Sequence, residues 1–125
     1  MFVTGDQIIA HLVGDYLLQS HWMATEKTKR GVAAAAHAIT YTLPFLFLTL
    51  DPLGLGLIAG THFVIDRWRL ARFVVWAKNI PWQPWPKCSV TGYHEDVPGW
   101  LSVWLLIIAD NTLHLLCNAT VLRFI

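Results

Sequence analysis

The chain has 125 residues, a length typical of one domain. Hydrophobic residues make up 55% of it and charged residues only 14%, whereas soluble domains carry roughly 25% charged residues. The net charge of +1 and the apolar composition exclude a disordered chain, a coiled coil and a basic protein with a nucleic-acid partner. The two cysteines have neither a disulfide-framework spacing nor a metal-site spacing. The composition therefore predicts a membrane protein.

Four apolar stretches follow one another along the chain, each near the roughly 20 residues that a helix needs to cross a bilayer. They predict an all-α, polytopic membrane protein, with residues 1–125 forming one four-helix transmembrane bundle. The helices are expected at about residues 5–24, 31–50, 53–77 and 98–122. A long loop rich in proline and tryptophan joins the third and fourth helices, and we expect it to lie on the membrane surface.

The basic residues predict how this bundle is oriented. Eight of the nine lysines and arginines fall in the first connection, at the end of the third helix or in the long loop, and Arg123 is the exception. The positive-inside rule makes those segments cytoplasmic. Both termini are then expected on the non-cytoplasmic side of a bacterial inner membrane.

Three aspartates lie within the apolar stretches. A charged side chain at the centre of a membrane helix costs roughly 2.5–3.5 kcal/mol on insertion scales, so these carboxylates must be neutralised by protons, arginine or metal. Each aspartate has a histidine four residues away, which puts both side chains on one helix face. The three pairs are His11 with Asp15, His62 with Asp66, and Asp110 with His114. The order reverses in the fourth helix, which runs opposite to the first and third, so the three aspartates are expected at one depth.

The histidine and aspartate side chains predict a metal centre. His37 follows the first basic turn by a few residues and can reach the same region. Imidazole with carboxylate is a ligand set of zinc, manganese or iron, and helical bundles build two-metal centres from inward-facing pairs of this kind. We expect one or two divalent ions, with zinc as the expected metal. The expected ligands are His11, Asp15, His37, His62, Asp66, Asp110 and His114. Gln7, Gln19 and Asn118 are expected to hydrogen-bond to these ligands and orient them.

The predicted function is that of a membrane-embedded, metal-dependent hydrolase. Metal-activated water would be the nucleophile, and Asp15, Asp66 or Asp110 would act as the general base. Arg67 or Arg69 would orient an anionic small molecule or a membrane lipid, as a phosphoester or lipid-headgroup substrate near the cytoplasmic leaflet. Alternatively, Arg69 pairs with Asp66.

Two other functions fit the same residues. One is a proton or metal-ion transporter, although the apolar outer ends of helices two to four disfavour a polar path across the membrane. The other is a non-enzymatic phage membrane accessory protein, in which the buried residues only hold the fold together. The oligomeric state stays open.

Four segments of the chain form recognisable motifs. They are His11-Leu-Val-Gly-Asp15-Tyr-Leu-Leu-Gln19, Trp22-Met23-Ala24 with Lys27, Thr61-His62-Phe-Val-Ile-Asp66, and Leu105-Leu-Ile-Ile-Ala-Asp110-Asn111-Thr-Leu-His114. With these segments the chain resembles a family of small phage and prophage integral membrane proteins of unknown function. The resemblance covers nearly the whole chain, and the long loop matches least. More distantly, the His/Asp motifs are similar to those of membrane-bound metal-dependent hydrolases, which implies a metal but no particular substrate.

Overall fold

A computed structural model describes residues 2–125 of the protein. The described chain is all-α, as predicted. A π-helical turn, Val13–Leu17, follows the first helix, and a 3₁₀ turn, Leu43–Phe47, follows the third. The helices are α1 (Gly5–Leu12), α2 (His21–Glu26), α3 (Gly31–Thr42), α4 (Pro52–Arg67), α5 (Ala71–Lys78), α6 (Trp85–Cys88) and α7 (Gly99–Phe124).

The predicted four-helix transmembrane bundle is wrong. Among the helices of residues 2–125, only α7, with 26 residues, is long and apolar enough to cross a membrane. The predicted orientation depended on four spans, so the basic residues no longer determine on which side the termini lie. The expected long loop is also partly helical, since it contains α6.

Local breaks shorten two of the predicted helices. The helix expected at residues 5–24 is interrupted before α2, because the Ser20 hydroxyl caps α2 by accepting a hydrogen bond from the Met23 amide. The helix expected at residues 53–77 ends with α4. Arg69, in the connection that follows, has a φ of 52°, a left-handed conformation that an α-helix cannot accommodate. Composition and apolar length do not reveal either break.

The chain divides into two compact units, one formed by the residues up to Trp68 together with His114–Ile125, and one by Arg69–Leu113. In the first unit, α3 packs against α2, α4 and the π turn. Gly14 makes the contact with the π turn possible, since a Cβ atom there would lie only 2.6 Å from Cδ2 and 2.8 Å from the carbonyl oxygen of Tyr41. The apolar core of this unit consists of Ala10, Tyr41, Phe45, Ile58 and Val121.

Aromatic side chains organise the second unit. Phe73 stacks on Trp85 with ring centroids 4.9 Å apart, and Trp76 stacks on Trp82. Arg72 lies over Phe73 and donates a 2.8 Å hydrogen bond to the Ser89 carbonyl. The predicted surface loop is therefore a folded segment that its own tryptophans stabilise.

Large apolar side chains remain exposed in both units. Phe47 is 93% exposed and Leu50 is 78% exposed in the first unit, and Trp100 and Trp104 are 72% and 63% exposed at the start of α7. Neither unit therefore buries all of its large apolar side chains in its own core.

Candidate metal centre

Four buried side chains of the first unit each direct one donor atom towards a common point. We call Asp15, His37, His62 and Asp66 the Asp/His cluster. Asp15 Oδ1 lies 3.0 Å from His37 Nε2 and 3.3 Å from His62 Nε2. Asp66 Oδ2 lies 3.3 Å and 3.1 Å from the same two nitrogens, which are 2.8 Å from each other.

These distances fit the donor geometry of a metal site. Metal–ligand bonds of 2.0–2.2 Å in a tetrahedral site would separate neighbouring donor atoms by about 3.3–3.6 Å. The donor-to-donor distances given for the cluster, 2.8–3.3 Å, need to widen by only a few tenths of an ångström. The ring nitrogens of His37 and His62 face each other, and two N–H groups could not do so at 2.8 Å. The buried Asp and His side chains could therefore hold a metal ion.

Local structure brings the four ligands together from three segments. Asp15 lies in the π turn, and π turns frequently occur at functional sites because the extra residue redirects the side chains around it. His37 lies on α3, and His62 and Asp66 lie one turn apart on α4. The contact between Gly14 and Tyr41 is what allows the π turn to come this close to α3.

A second group of buried residues positions the ligands. The Asn118 amide donates a 2.6 Å hydrogen bond to the Tyr41 hydroxyl oxygen, which lies 2.7 Å from His11 Nδ1. The Tyr41 hydroxyl group thus links Asn118 to His11, whose other nitrogen, Nε2, lies 3.6 Å from Asp15 Oδ2. The Tyr41 ring stacks on the His62 ring with centroids 3.6 Å apart. Tyr41 thus fixes one ligand by stacking and contacts another through His11.

Asp66 has two further partners on the first unit. His114 Nε2 lies 3.1 Å from Asp66 Oδ1, the carboxylate oxygen that does not face the cluster. The Lys27 ammonium donates a 2.8 Å hydrogen bond to Asp66 Oδ2, the oxygen that does. The Nδ1 atoms of His37 and His62 are buried and have no hydrogen-bond partner within the described chain. These two rings are held by their Nε2 contacts and by ring contacts, since His62 stacks on Tyr41 and His37 meets Tyr41 edge-on, and not by the second hydrogen bond that metal-binding histidines usually make.

The contacts also determine the charge of the cluster. Burial alone would raise the pKa of Asp66, but hydrogen bonds from His114, His37 and His62 outweigh it and hold this pKa well below its ordinary value. The pKa of Asp15 is likewise lowered, against the effect of burial, by hydrogen bonds from His37 and His62. Burial would lower the pKa of His37, whereas its hydrogen bonds to Asp15 and Asp66 raise it above the ordinary value. Both carboxylates are therefore ionised at neutral pH.

Three of the predicted ligands lie outside the Asp/His cluster. His11 and His114 contact Asp15 and Asp66 from behind, as described above. Asp110 lies on α7 one turn before His114, in the segment assigned to the second unit. Two of the expected supporting residues make such contacts, since Asn118 binds Tyr41 and the Gln19 side chain donates to the Asp15 carbonyl.

The arginines expected to orient a substrate make backbone contacts. Arg67 donates hydrogen bonds of 2.7 Å and 3.3 Å to the carbonyl oxygens of Thr28 and Lys29. Arg69 belongs to the second unit and donates to the Val90 carbonyl. Burial, together with the nearby Arg72 charge, lowers the pKa of Arg69. A substrate role for Arg67 and Arg69 stays a prediction.

Sequence reasoning missed Lys27 and Tyr41 as parts of this centre. Lys27 is one of several basic residues in the first connection, and their charge pattern predicts only an orientation, although Lys27 follows α2 directly and is twelve residues from Asp15. Tyr41 lies four residues after His37, the same helical spacing that pointed to the His/Asp pairs. That spacing, extended to tyrosine, would have found it.

The chain belongs to the family described as "Protein of unknown function (DUF3307)", which matches residues 3–124. No curated protein and no solved structure matches it. The expected membership of a family of unknown function is confirmed. The phage origin and the distant similarity to membrane-bound hydrolases stay predictions.

Proposed function

We propose that the protein is a metal-dependent hydrolase with one zinc ion bound by Asp15, His37, His62 and Asp66. The observation that carries this proposal is the convergence of four buried donor atoms, in which each imidazole nitrogen lies 2.8–3.3 Å from the other nitrogen and from both carboxylate oxygens. Two imidazole nitrogens favour zinc, manganese or iron over magnesium or calcium, and a four-coordinate N₂O₂ arrangement favours zinc. The four donor atoms define one ion position, and the attacking water would need a fifth coordination position, which zinc can adopt.

The chain's own residues would each have a distinct task. A bound divalent ion supplies Lewis-acid activation of water and of a substrate oxygen. With the ion bound, Asp15 Oδ2, the carboxylate oxygen that is not a donor of the cluster and lies 3.6 Å from His11 Nε2, would accept the proton taken from water. His11, fixed by Tyr41, stabilises the charge of Asp15, and His114 fixes the orientation of Asp66. The proposed substrate is a phosphoester or a lipid headgroup.

We further propose that the protein works at a bacterial inner membrane, with α7 in contact with lipid. α7 is long and apolar enough to cross a membrane, and its first turns expose Trp100 and Trp104. Tryptophan is enriched where a protein meets the membrane–water interface. Neither the transporter nor the accessory-protein alternative has a structural observation that favours it, and both stay predictions.

A hydrolysis assay tests this function. Purified protein, stripped with chelator and then supplied with zinc, should hydrolyse a phosphomonoester or a water-soluble short-chain phospholipid, and stripped protein should not. His62→Ala should abolish this activity, whereas His94→Ala, a change of the same kind in the second unit, should leave it intact. Failure of zinc-loaded wild-type protein to turn over any phosphoester or lipid headgroup would refute the hydrolase.

A further inference from the structure

Lys27 is a partly exposed basic residue that contacts the Asp/His cluster. Its ammonium group lies 2.8 Å from Asp66 Oδ2, the same oxygen that faces His37 and His62. The Lys27 side chain is 19% exposed and the Asp66 side chain is 4% exposed. Lys27 is thus more exposed than His11 and His114, the other two side chains described in contact with Asp15 and Asp66 from outside the cluster, which are each 1% exposed.

The turn that carries Lys27 is held in place. The Lys27 amide closes α2 by donating a 3.0 Å hydrogen bond to the Met23 carbonyl. The Arg67 guanidinium, at the end of α4, binds the carbonyl oxygens of Thr28 and Lys29. The turn is therefore fixed to the helix that supplies His62 and Asp66, which gives the ammonium group a defined position.

Within the first unit, a bound metal ion would leave the Asp/His cluster and Lys27 with an excess of positive charge. The cluster contributes two carboxylates, and the histidines must be neutral to bind a metal. A divalent ion together with the Lys27 ammonium exceeds these two negative charges by one. An uncompensated buried charge is strongly unfavourable, so the loaded site favours binding of an anion.

We propose that Lys27 binds the phosphoryl group of the substrate, which makes this a site for phosphate esters. The inference rests on the proposed metal function and specifies its substrate class. Binding of the ion to Asp66 Oδ2 would weaken the hydrogen bond between that oxygen and Lys27. The ammonium group could then donate a hydrogen bond to a phosphoryl oxygen. Arg67 is a positioning residue, since it holds the turn that carries Lys27 and does not itself contact the phosphoryl group.

Inorganic phosphate binding to zinc-loaded protein tests this proposal, with calorimetry as the readout. A hydrogen bond between charged groups corresponds to about a tenfold to hundredfold change in affinity, so Lys27→Met should weaken phosphate binding by at least about tenfold. Lys27→Arg, which keeps the charge, should retain most of the affinity. Lys29→Met, on the same turn but exposed, should change it by less than about twofold because solvent screens that charge. Zinc should bind to Lys27→Met at least as tightly as to wild type, since a neighbouring cation has been removed.

A labelling experiment on wild-type protein covers the case in which Lys27→Met does not fold. Phosphate should protect Lys27, but not Lys29, from an amine-acylating reagent, as measured by mass spectrometry. Glycerol phosphate and a short-chain phosphatidic acid, compared with inorganic phosphate, show whether the bound group belongs to a free ester or to a lipid headgroup. If the protein binds zinc but phosphate does not protect Lys27, or if Lys27→Met binds phosphate as tightly as wild type, the inference is overturned while the proposed function stands. Failure of wild-type protein to bind zinc would overturn the proposed function and, with it, this inference.

Discussion

Replacement of Tyr41 by phenylalanine removes one oxygen atom from the centre of the first unit and keeps the ring that stacks on His62. Two hydrogen bonds disappear, the 2.6 Å bond from Asn118 and the 2.7 Å bond to His11. Both partner side chains are 99% buried, so neither can replace the lost bond with bulk water. A buried polar group that loses its partner costs about 1–3 kcal/mol, and two such groups cost about 2–6 kcal/mol.

That loss is a large fraction of the total stability, because a domain is stable by only about 5–15 kcal/mol. Chemical denaturation followed by tryptophan fluorescence measures it directly, as a lower midpoint with an unchanged slope. Tyr93→Phe, the same change in the second unit, should alter the unfolding free energy by less than about 0.5 kcal/mol. A Tyr41→Phe protein as stable as wild type would refute the role assigned to this hydroxyl group. Tyr41→Leu also loses the stacking and should weaken zinc binding, which Tyr41→Phe should largely preserve.

Three other predictions concern the close contact, the pH dependence and the membrane. Gly14→Ala should destabilise the protein by about 1–3 kcal/mol and weaken zinc binding, since the added Cβ would lie 2.6 Å from the Tyr41 ring. Gly5→Ala is the control. It has open space around it and should change neither the denaturation curve nor the zinc titration. In metal-free protein, the raised pKa of His37 stabilises the fold fully below about pH 6.5, and this stabilisation is lost as the pH rises through the folded-state pKa. The lowered pKa values of Asp15 and Asp66 stabilise the fold above about pH 4, and this stabilisation is lost on acidification. Thermal unfolding from pH 3 to 9 should therefore show greatest stability between these limits, and a curve without either decline would contradict the charge assignment. Trp104→Asp should reduce the fraction of protein that floats with liposomes, while Glu95→Gln should not, and equal flotation of the two variants would count against lipid contact through α7.

The His/Asp spacing was sufficient to predict most of the centre. A separation of four residues on one helix correctly placed His62 with Asp66, and the expected approach of His37 to the same region is also observed. Spacing cannot reveal a contact between residues far apart in the chain. Lys27 reaches Asp66 across 39 positions and Asn118 reaches Tyr41 across 77, so both contacts depend on the tertiary fold.

The all-α class could be predicted from the sequence, but the helix boundaries could not. Apolar length alone predicts one membrane-spanning helix over residues 5–24. In the structure, a π turn and a serine cap divide that segment. The unusual backbone of Arg69 likewise breaks the expected third helix, because hydropathy contains no information about φ. The four-span prediction failed at these local features and not in the overall composition.

The central claim is that Asp15, His37, His62 and Asp66 bind one divalent ion. Elemental analysis of protein purified without chelator, combined with X-ray absorption at the metal edge, measures it most directly. We predict one zinc per chain with two histidine nitrogens and two carboxylate oxygens as its protein ligands, at about 2.0–2.2 Å, loss of the metal in Asp66→Ala, and full occupancy in Asp96→Ala, an exposed control in the second unit. Wild-type protein that contains no transition metal and does not take up zinc when it is supplied would contradict the claim.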